Sequence, residues 1–229
     1  MTSHDVVAII RKKTGVKRVG HGGTLDPLAE GVLVIAVGRE NTKQLDKYVK
    51  GEKEYLATLK LGYVSETDDA DGPIYEYNNY MFQKLASIEV PPQIASEIPE
   101  EKQIKHCLRK FIGKIKQVPP FYSAIKIKGR PAYKIARSIK KQGLTLITHN
   151  EGLTLKPREV FIKDIKLISY EYPEIKIKVT CGPGVYIRSL SRDIGEDLKT
   201  GAYLSKLIRT KVGKFKIEDC IEIEELKNN

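Results

Sequence analysis

GHGGTLDPLAEG, the stretch from Gly20 to Gly31, is the most informative part of this 229-residue chain. Its four glycines allow tight turns and a close approach of the backbone to a ligand, which other residues prevent. Its first carboxylate, Asp26, stands directly before a proline and shortly before the apolar run VLVIAV at 32–37. An aspartate before a proline often caps a helix. A carboxylate on a glycine-rich loop at the edge of a sheet can instead serve as a nucleophile.

The apolar periodicity on either side of this loop predicts alternating strands and helices. Strands are predicted at 32–37, 54–61, 160–170, 174–181 and 203–215, with a strand pair at 114–128 around two prolines. Helices are predicted at 3–13, with a cap at Thr2 or Ser3, and at 42–49, 101–111, 133–140 and 186–198. Because strands and helices interleave without a βαβ repeat, we predict an α+β fold with a mixed sheet. We expect one domain over residues 1–229.

The balance of charge favours a polyanionic partner. Lys and Arg total 40 against 29 Asp and Glu, which gives a net charge of +11 and a pI of about 9.4. A basic excess attracts nucleic acid, whereas in a lysine-rich proteome the same charge merely covers the surface. The twelve tyrosines suit base stacking as well as core packing. Charge alone leaves both interpretations open.

Other classes of protein are not favoured by the composition. No apolar run approaches the length of a transmembrane helix, and the first residues do not follow the pattern of a signal peptide. Three distant cysteines and four scattered histidines give no metal-ligand spacing, and reduced thiols suit a cytoplasmic location. The acidic segment SETDDADGP at 65–73 lacks the spacing of an EF-hand, so we interpret it as a structural turn.

The stretch from 20 to 33 resembles the catalytic motif of the TruB family of tRNA pseudouridine synthases, G-H-x-G-x-L-D-P-x-A-x-G-x-L, at every fixed position. Four further segments resemble motifs of that family in the same order: GEKEYLATLKLG (51–62), GYVSETDDADG (62–72), QVPPFYSAIKIKGRPAYKIAR (117–137) and CGPGVYIRSLSRDIG (181–195). The resemblance implies the pseudouridine synthase fold, with a mainly antiparallel central sheet flanked by helices. It also implies isomerisation of uridine 55 in the T loop of tRNA, without a metal or nucleotide cofactor.

The resemblance assigns catalytic roles to three residues. Asp26 is expected to attack the target nucleotide, and Arg188 to pair with Asp26 and aim it. A uridine in folded RNA must be extruded before it can react, and Tyr55 is expected to stack on it and to handle a proton. The ordinary alternatives are a half-buried strand tyrosine at 55 and a surface arginine at a helix start at 188.

The resemblance also suggests residues that contact the RNA. His21 is expected to stack near the flipped base, and Leu207 to pack near it. Tyr186 is expected to form a hydrogen bond with Asp26 or with a phosphate. Lys53 belongs to the K-x-Y strand motif that also carries Tyr55. Candidate phosphate contacts are Lys17, Arg18, Lys126, Lys128 and Arg130. The ordinary alternatives are that His21 faces solvent, that Tyr186 and Leu207 are core residues, and that the cations are merely solvated.

The chain departs from the family pattern at Ser65, where the family usually has threonine, and at three further places. The usual first strand with its K-P-x-G-x-T-S motif is reduced to Met-Thr-Ser, we expect no carboxy-terminal PUA domain, and Gly143–Leu155 is longer than the usual connection. We expect a monomer that acts on the T arm of tRNA in the cytoplasm, without a guide RNA or a membrane. The alternatives are a guide-RNA-dependent synthase of the dyskerin kind and a non-catalytic RNA-folding chaperone.

Overall fold

The computed structural model describes residues 1–78, 98–142 and 155–228. Its strands are β1 (Val19–Gly22), β2 (Ala29–Gly31), β3 (Val34–Val37), β4 (Lys53–Leu61), β5 (Tyr63–Ser65), β6 (Ile74–Glu76), β7 (Gly113–Gln117), β8 (Lys126–Ile127), β9 (Arg130–Pro131), β10 (Arg158–Glu171), β11 (Glu174–Cys181), β12 (Ala202–Val212) and β13 (Phe215–Lys216). Its α-helices are α1 (Ser3–Thr14), α2 (Arg39–Lys43), α3 (Leu45–Val49), α4 (Glu101–Lys110), α5 (Ala132–Lys141), α6 (Ile187–Asp197) and α7 (Ile223–Asn228), and a 3-10 turn spans Ile217–Asp219.

Within these residues, a central seven-stranded sheet organises the fold. Its order is β13-β12-β4-β11-β10-β7, with antiparallel neighbours throughout. The short strand β2 joins the sheet beside β12 and runs parallel to it. The predicted α+β fold with a mixed, mainly antiparallel sheet is therefore confirmed. Two-stranded sheets form from β1 with β3, β5 with β6, and β8 with β9.

The core lies between one face of this sheet and the helices α4 and α6. Every second residue of β4 from Tyr55 to Leu61 is buried, which confirms the predicted alternation of a half-buried strand. The predicted stripe on α6 is also confirmed, because its residues at 187, 190 and 194 are buried in the same cluster. Burying one such aliphatic side chain contributes about 1.5–3 kcal/mol. This packing fixes α6, which carries Arg188, against the sheet whose strand β4 carries Tyr55.

The first helix begins as predicted. Thr2 caps α1, since its hydroxyl accepts a hydrogen bond from the Asp5 amide at 3.2 Å. The Asp5 carboxylate accepts one in return from the Thr2 amide at 2.7 Å. This reciprocal capping box satisfies amides that the helix itself leaves unpaired.

Several predicted boundaries are wrong for identifiable reasons. The residues at 114–128 do not pair with each other: β7 pairs with β10, and β8 pairs with β9. Pro119 and Pro120 have no amide hydrogen to donate to a neighbouring strand, so the chain leaves the sheet after β7 and does not continue directly into β8. The predicted strand at 203–215 turns back at Gly213, whose φ of 56° suits a tight hairpin. The predicted helix at 42–49 is divided into α2 and α3.

One prediction concerns residues that lie almost wholly outside the described part of the chain. Of the extension Gly143–Leu155, the structure describes only Leu155, which is buried.

Candidate active site

Asp26 lies on a turn, and no helix follows it. The loop at 23–33 connects β1 to β3, which pair antiparallel with His21 opposite Ile35. The carbonyl of Asp26 accepts a hydrogen bond from the Ala29 amide at 2.9 Å, and the chain then enters β2 directly. The helix-cap interpretation of Asp26 is therefore wrong. The turn instead presents the carboxylate beside the central sheet.

The two ends of this loop are held by one buried guanidinium. Arg209 on β12, which is 2% exposed, donates from Nε to the Val32 carbonyl and from Nη2 to the Gly23 carbonyl, both at 2.8 Å. Gly31 has a φ of +97°, and a Cβ there would lie 2.3 Å from the Arg209 carbonyl oxygen. Only glycine permits that approach. A third anchor is Ser3 of α1, whose hydroxyl accepts from the Leu25 amide at 3.1 Å.

Arg188 grips the Asp26 carboxylate at two points. Its Nε and Nη2 donate to Oδ2 and Oδ1, both at 3.0 Å. Two parallel charge-assisted bonds fix the plane of a carboxylate as well as its position. The Arg188 side chain is 5% exposed, whereas that of Asp26 is 36% exposed. The buried guanidinium thus orients the carboxylate from the protein side, while the carboxylate remains accessible to a substrate from the solvent side.

Arg188 is itself enclosed by further acceptors. Its Nη1 lies 3.4 Å from Oδ2 of Asp69, whose side chain is 3% exposed, and it donates to the Thr67 carbonyl at 3.2 Å. Its Nη2 also donates to the Tyr122 carbonyl at 3.1 Å. Burial raises the pKa of Asp69, while hydrogen bonds from Thr67 and the charge of Arg188 oppose that shift. Arg188 therefore lies between two carboxylates, which offsets the unfavourable position of a cation in the first turn of a helix.

The acidic segment 65–73 supplies this second carboxylate. One turn further along α6, Arg192 binds Asp68 at 2.9 Å and donates to the Val118 carbonyl, also at 2.9 Å. The Asp68 carbonyl accepts from the Leu204 amide at 3.1 Å, which joins the segment to β12. Its adjacent aspartates are thus occupied by two arginines of one helix. This agrees with the interpretation of the segment as a structural turn.

Tyr55 lies next to the loop anchor. It is opposite Arg209 in the β4–β12 pair. Burial raises the pKa of Tyr55 to about 12; Asp26 adds to the rise, and Arg209 opposes it. The phenol is therefore protonated at neutral pH and can donate a hydrogen bond. Lys53 on the same strand is turned aside, because its Nζ donates to the Val49 carbonyl at 3.0 Å, and burial lowers its pKa.

The remaining candidates occupy different positions around this group. Leu207 is buried on β12, opposite Ala29 of β2, and Tyr186 is half-buried directly before α6. His21 packs edge-on against His4, with ring centroids 5.2 Å apart, and burial lowers its pKa. Its Nδ1 is buried and has no hydrogen-bond partner among the described residues. The candidate phosphate contacts are all exposed: Lys17, Arg18, Lys126, Lys128 and Arg130.

Sequence reasoning missed the residues that support the site. The sequence around Asp69 indicates only a turn, although a matched family motif includes this residue. Arg209 stands two residues after Leu207 in LSKLIRT, where a cation in a strand of buried residues was the available signal. Gln117 is 1% exposed at the end of β7, and nothing in the local pattern indicates its contact with a residue 69 positions away.

Two family models match consecutive parts of the chain. The TruB family pseudouridylate synthase N-terminal domain matches residues 11–187, and the tRNA pseudouridylate synthase B C-terminal domain matches residues 188–229. A protein named tRNA pseudouridine synthase B from Phocaeicola vulgatus is 40% identical over 97% of this chain and 86% of its own length. One of the same name from Clostridium tetani is 41% identical over 99% of this chain and 68% of its own.

Solved structures share the fold. A chain in the crystal structure of a Cbf5-Nop10-Gar1 complex superposes with a TM-score of 0.63 and 28% identity, over 94% of this chain and 46% of that one. A chain from the structure of an H/ACA RNP bound to a substrate RNA containing 2'-deoxyuridine superposes with a TM-score of 0.62 and 26% identity. The match covers 98% of this chain and 48% of that one. This chain spans about half the length of those solved chains. Within the described residues, no helix is long and apolar enough to cross a membrane. By its family models and its curated relatives, the chain belongs to the TruB family of pseudouridylate synthases.

Proposed function

We propose that this protein converts uridine to pseudouridine at position 55 in the T loop of tRNA, with Asp26 as the nucleophile. The observation that carries the proposal is the two-point contact of Arg188 with Asp26. It orients a carboxylate whose side chain remains 36% exposed to an incoming substrate. Membership of the family and the names of the curated relatives support the reaction and tRNA as the substrate.

The reaction rearranges bonds within one nucleotide and needs no net oxidant or reductant. Asp26 bonds to C1′ of the ribose or to C6 of the base, and the C1′–N1 bond breaks. The uracil then rotates, C1′ bonds to C5, Asp26 is released, and the C5 proton moves to N1 by way of solvent or a side chain. Tyr55 stacks on the extruded base, and its phenol, which is protonated at neutral pH because burial raises its pKa to about 12, takes part in moving the C5 proton.

The RNA is proposed to dock on the basic surface around this site. His21, Tyr186 and Leu207 are placed near the extruded base, and Lys53 supports the strand that carries Tyr55. Exposed cations contact the phosphates of the T arm: Lys17, Arg18 and Lys126. The net charge of +11 supports such a polyanionic partner. We further propose a cytoplasmic monomer that needs no guide RNA; the name of the two curated relatives, tRNA pseudouridine synthase B, supports tRNA as the substrate.

One assay separates this function from its alternatives. Purified protein is incubated with an unmodified tRNA transcript, without guide RNA, and pseudouridine is measured at each uridine. We expect product at position 55 from the wild type. Product that appears only with a guide RNA supports the guide-dependent alternative. Binding of the wild type without product supports the RNA-folding chaperone.

Asp26→Asn tests the nucleophile in the same assay. Because binding comes from many phosphate contacts, affinity for tRNA should change by less than about threefold while turnover is lost. Asp46→Asn, the same change at an exposed position on α3, is the matched control and should leave turnover unchanged. Turnover of Asp26→Asn within about tenfold of wild type would contradict the assignment.

A further inference from the structure

Gln117 makes a reciprocal contact with the backbone just before α6. Its Nε2 donates to the Tyr186 carbonyl at 3.1 Å, and its Oε1 accepts from the Tyr186 amide at 2.9 Å. The Tyr186 backbone is thereby paired as it would be by a neighbouring strand, although it lies in no strand. Tyr186 also caps α6 without a side-chain hydrogen bond to the helix. The buried amide of Gln117 therefore holds both backbone groups of Tyr186, whose carbonyl also accepts the first hydrogen bond of the helix from the Leu190 amide at 3.0 Å.

Two further contacts tie the following residues to the same helix. Arg188 donates to the Tyr122 carbonyl at 3.1 Å, and Arg192 donates to the Val118 carbonyl at 2.9 Å. The segment 117–122 is thus joined to α6 at three points, one of which is the guanidinium that holds Asp26. A change in the path of this segment would move Arg188.

The same segment leads into a strongly basic part of the described chain. Residues 118–142 contain seven Lys and Arg and no Asp or Glu. They form β8, β9 and the helix α5, all with exposed cations. A stretch of this charge is suited to contact RNA phosphates. Its first residues, 118–122, make the contacts with Arg188 and Arg192 that are described above.

We propose that Gln117 is a positioning residue, which sets Arg188 against Asp26 by fixing the backbone at Tyr186 and couples the basic segment 118–142 to that pair. The proposal rests on the proposed function. An amide both donates and accepts at this spacing, whereas an ionised carboxylate only accepts. Glutamate at 117 would therefore remove one of the two donors to the Tyr186 carbonyl, with the Leu190 amide as the other, and set a negative charge beside it. A protonated carboxyl group can again donate and accept.

The test compares Gln117→Glu and Gln117→Met with wild type on unmodified tRNA, after circular dichroism shows that each variant is folded at the assay temperature. We expect kcat to fall by about 10- to 100-fold at pH 8 with KM changed less than about threefold, because misplaced groups slow chemistry without weakening phosphate contacts. The glutamate variant should approach wild type as the pH is lowered towards about 5.5, where the buried carboxyl group is protonated. The methionine variant should not. Gln103→Glu, the same change at an exposed position of α4, should behave as wild type at every pH.

A second measurement does not depend on turnover. In 15N-labelled protein, the Nε–H of Arg188 donates to Asp26 and should exchange slowly with solvent in the wild type. It should exchange faster in Gln117→Met. A kcat of both variants within about twofold of wild type, or a loss confined to KM, would overturn the positioning role. If the wild type makes no pseudouridine, the proposed function fails, and unchanged exchange at Arg188 would then refute the positioning role separately.

Discussion

Removal of Arg188 should have separate consequences for stability and for catalysis. Arg188→Met leaves Asp69, with a side chain that is 3% exposed, without the cation beside it. Breaking a buried ion pair by removing one partner costs about 3–5 kcal/mol in the free energy of unfolding. From the sequence we would expect about 1 kcal/mol, on the assumption of a partly solvated arginine. The 5% exposure of Arg188 shows that this assumption is wrong and selects the larger figure.

A second substitution isolates the stranded carboxylate. Asp69→Asn keeps a side-chain oxygen that can accept from the Asp71 amide, now at 3.0 Å, but removes the negative charge. Arg188→Met/Asp69→Asn should therefore recover at least about 1 kcal/mol relative to Arg188→Met. Turnover should not recover, because Asp26 still lacks its two-point contact, and both variants should stay at least about 100-fold below wild type.

The free energies come from urea unfolding at pH 7, followed by far-ultraviolet circular dichroism and by tyrosine fluorescence, since the chain contains no tryptophan. Coincidence of the two transitions checks two-state behaviour. The control is Lys110→Met, which removes an exposed ion pair with Asp197 and should cost less than about 1 kcal/mol. A loss below about 1 kcal/mol for Arg188→Met, or no recovery on adding Asp69→Asn, would refute the reasoning.

Three further predictions concern the loop, a histidine and the RNA. In Arg209→Lys, a single ammonium group replaces the guanidinium that donates to the carbonyls of Val32 and Gly23, so the loop should be held less firmly. Deuterium uptake across 20–31, measured by mass spectrometry, should therefore rise. Unchanged uptake would contradict the role of Arg209 as an anchor. NMR titration should place the pKa of His21 below 6.5, because burial disfavours the charged ring; the folded protein then binds fewer protons than the unfolded chain, and stability falls as the pH drops below 6.5. A value at or above 6.5 would exclude this environment. Affinity for tRNA should fall with salt at a log-log slope near about −4 if about five phosphates are contacted, and a slope shallower than about −2 would point to fewer contacts.

The part of the site that the sequence predicts is the part encoded in short-range patterns. The alternation in β4 places Tyr55 on the buried face, and the helical stripe at 187, 190 and 194 sets the orientation of α6. These features depend on periods of two and of about 3.6 residues, which a single sequence displays directly. At Asp26 the residues alone leave a helix cap and a nucleophile open, and only the resemblance to the family motif favours the nucleophile.

The supporting contacts depend on distance along the chain and could not be predicted in the same way. Asp69 meets Arg188 only because the segment 65–73 folds onto α6, and Gln117 meets Tyr186 across 69 residues. The burial of Arg209 likewise follows from the parallel pairing of β2 with β12. None of these contacts produces a periodic pattern of residues in the sequence. A cation in an otherwise apolar strand is ambiguous until the topology shows what surrounds it.

The anchors of Asp26 come from opposite ends of the chain, and this sets an order of events during translation. Asp26 leaves the ribosome 162 residues before Arg188, a delay of roughly 10–30 s at ordinary rates of synthesis. Throughout that interval the loop lacks its guanidinium partners, and β2 lacks the strand beside which it lies. The basic segment 118–142 emerges earlier than either arginine. A nascent chain can therefore attract RNA before it can act on it, and activity begins only after β12 has emerged and paired.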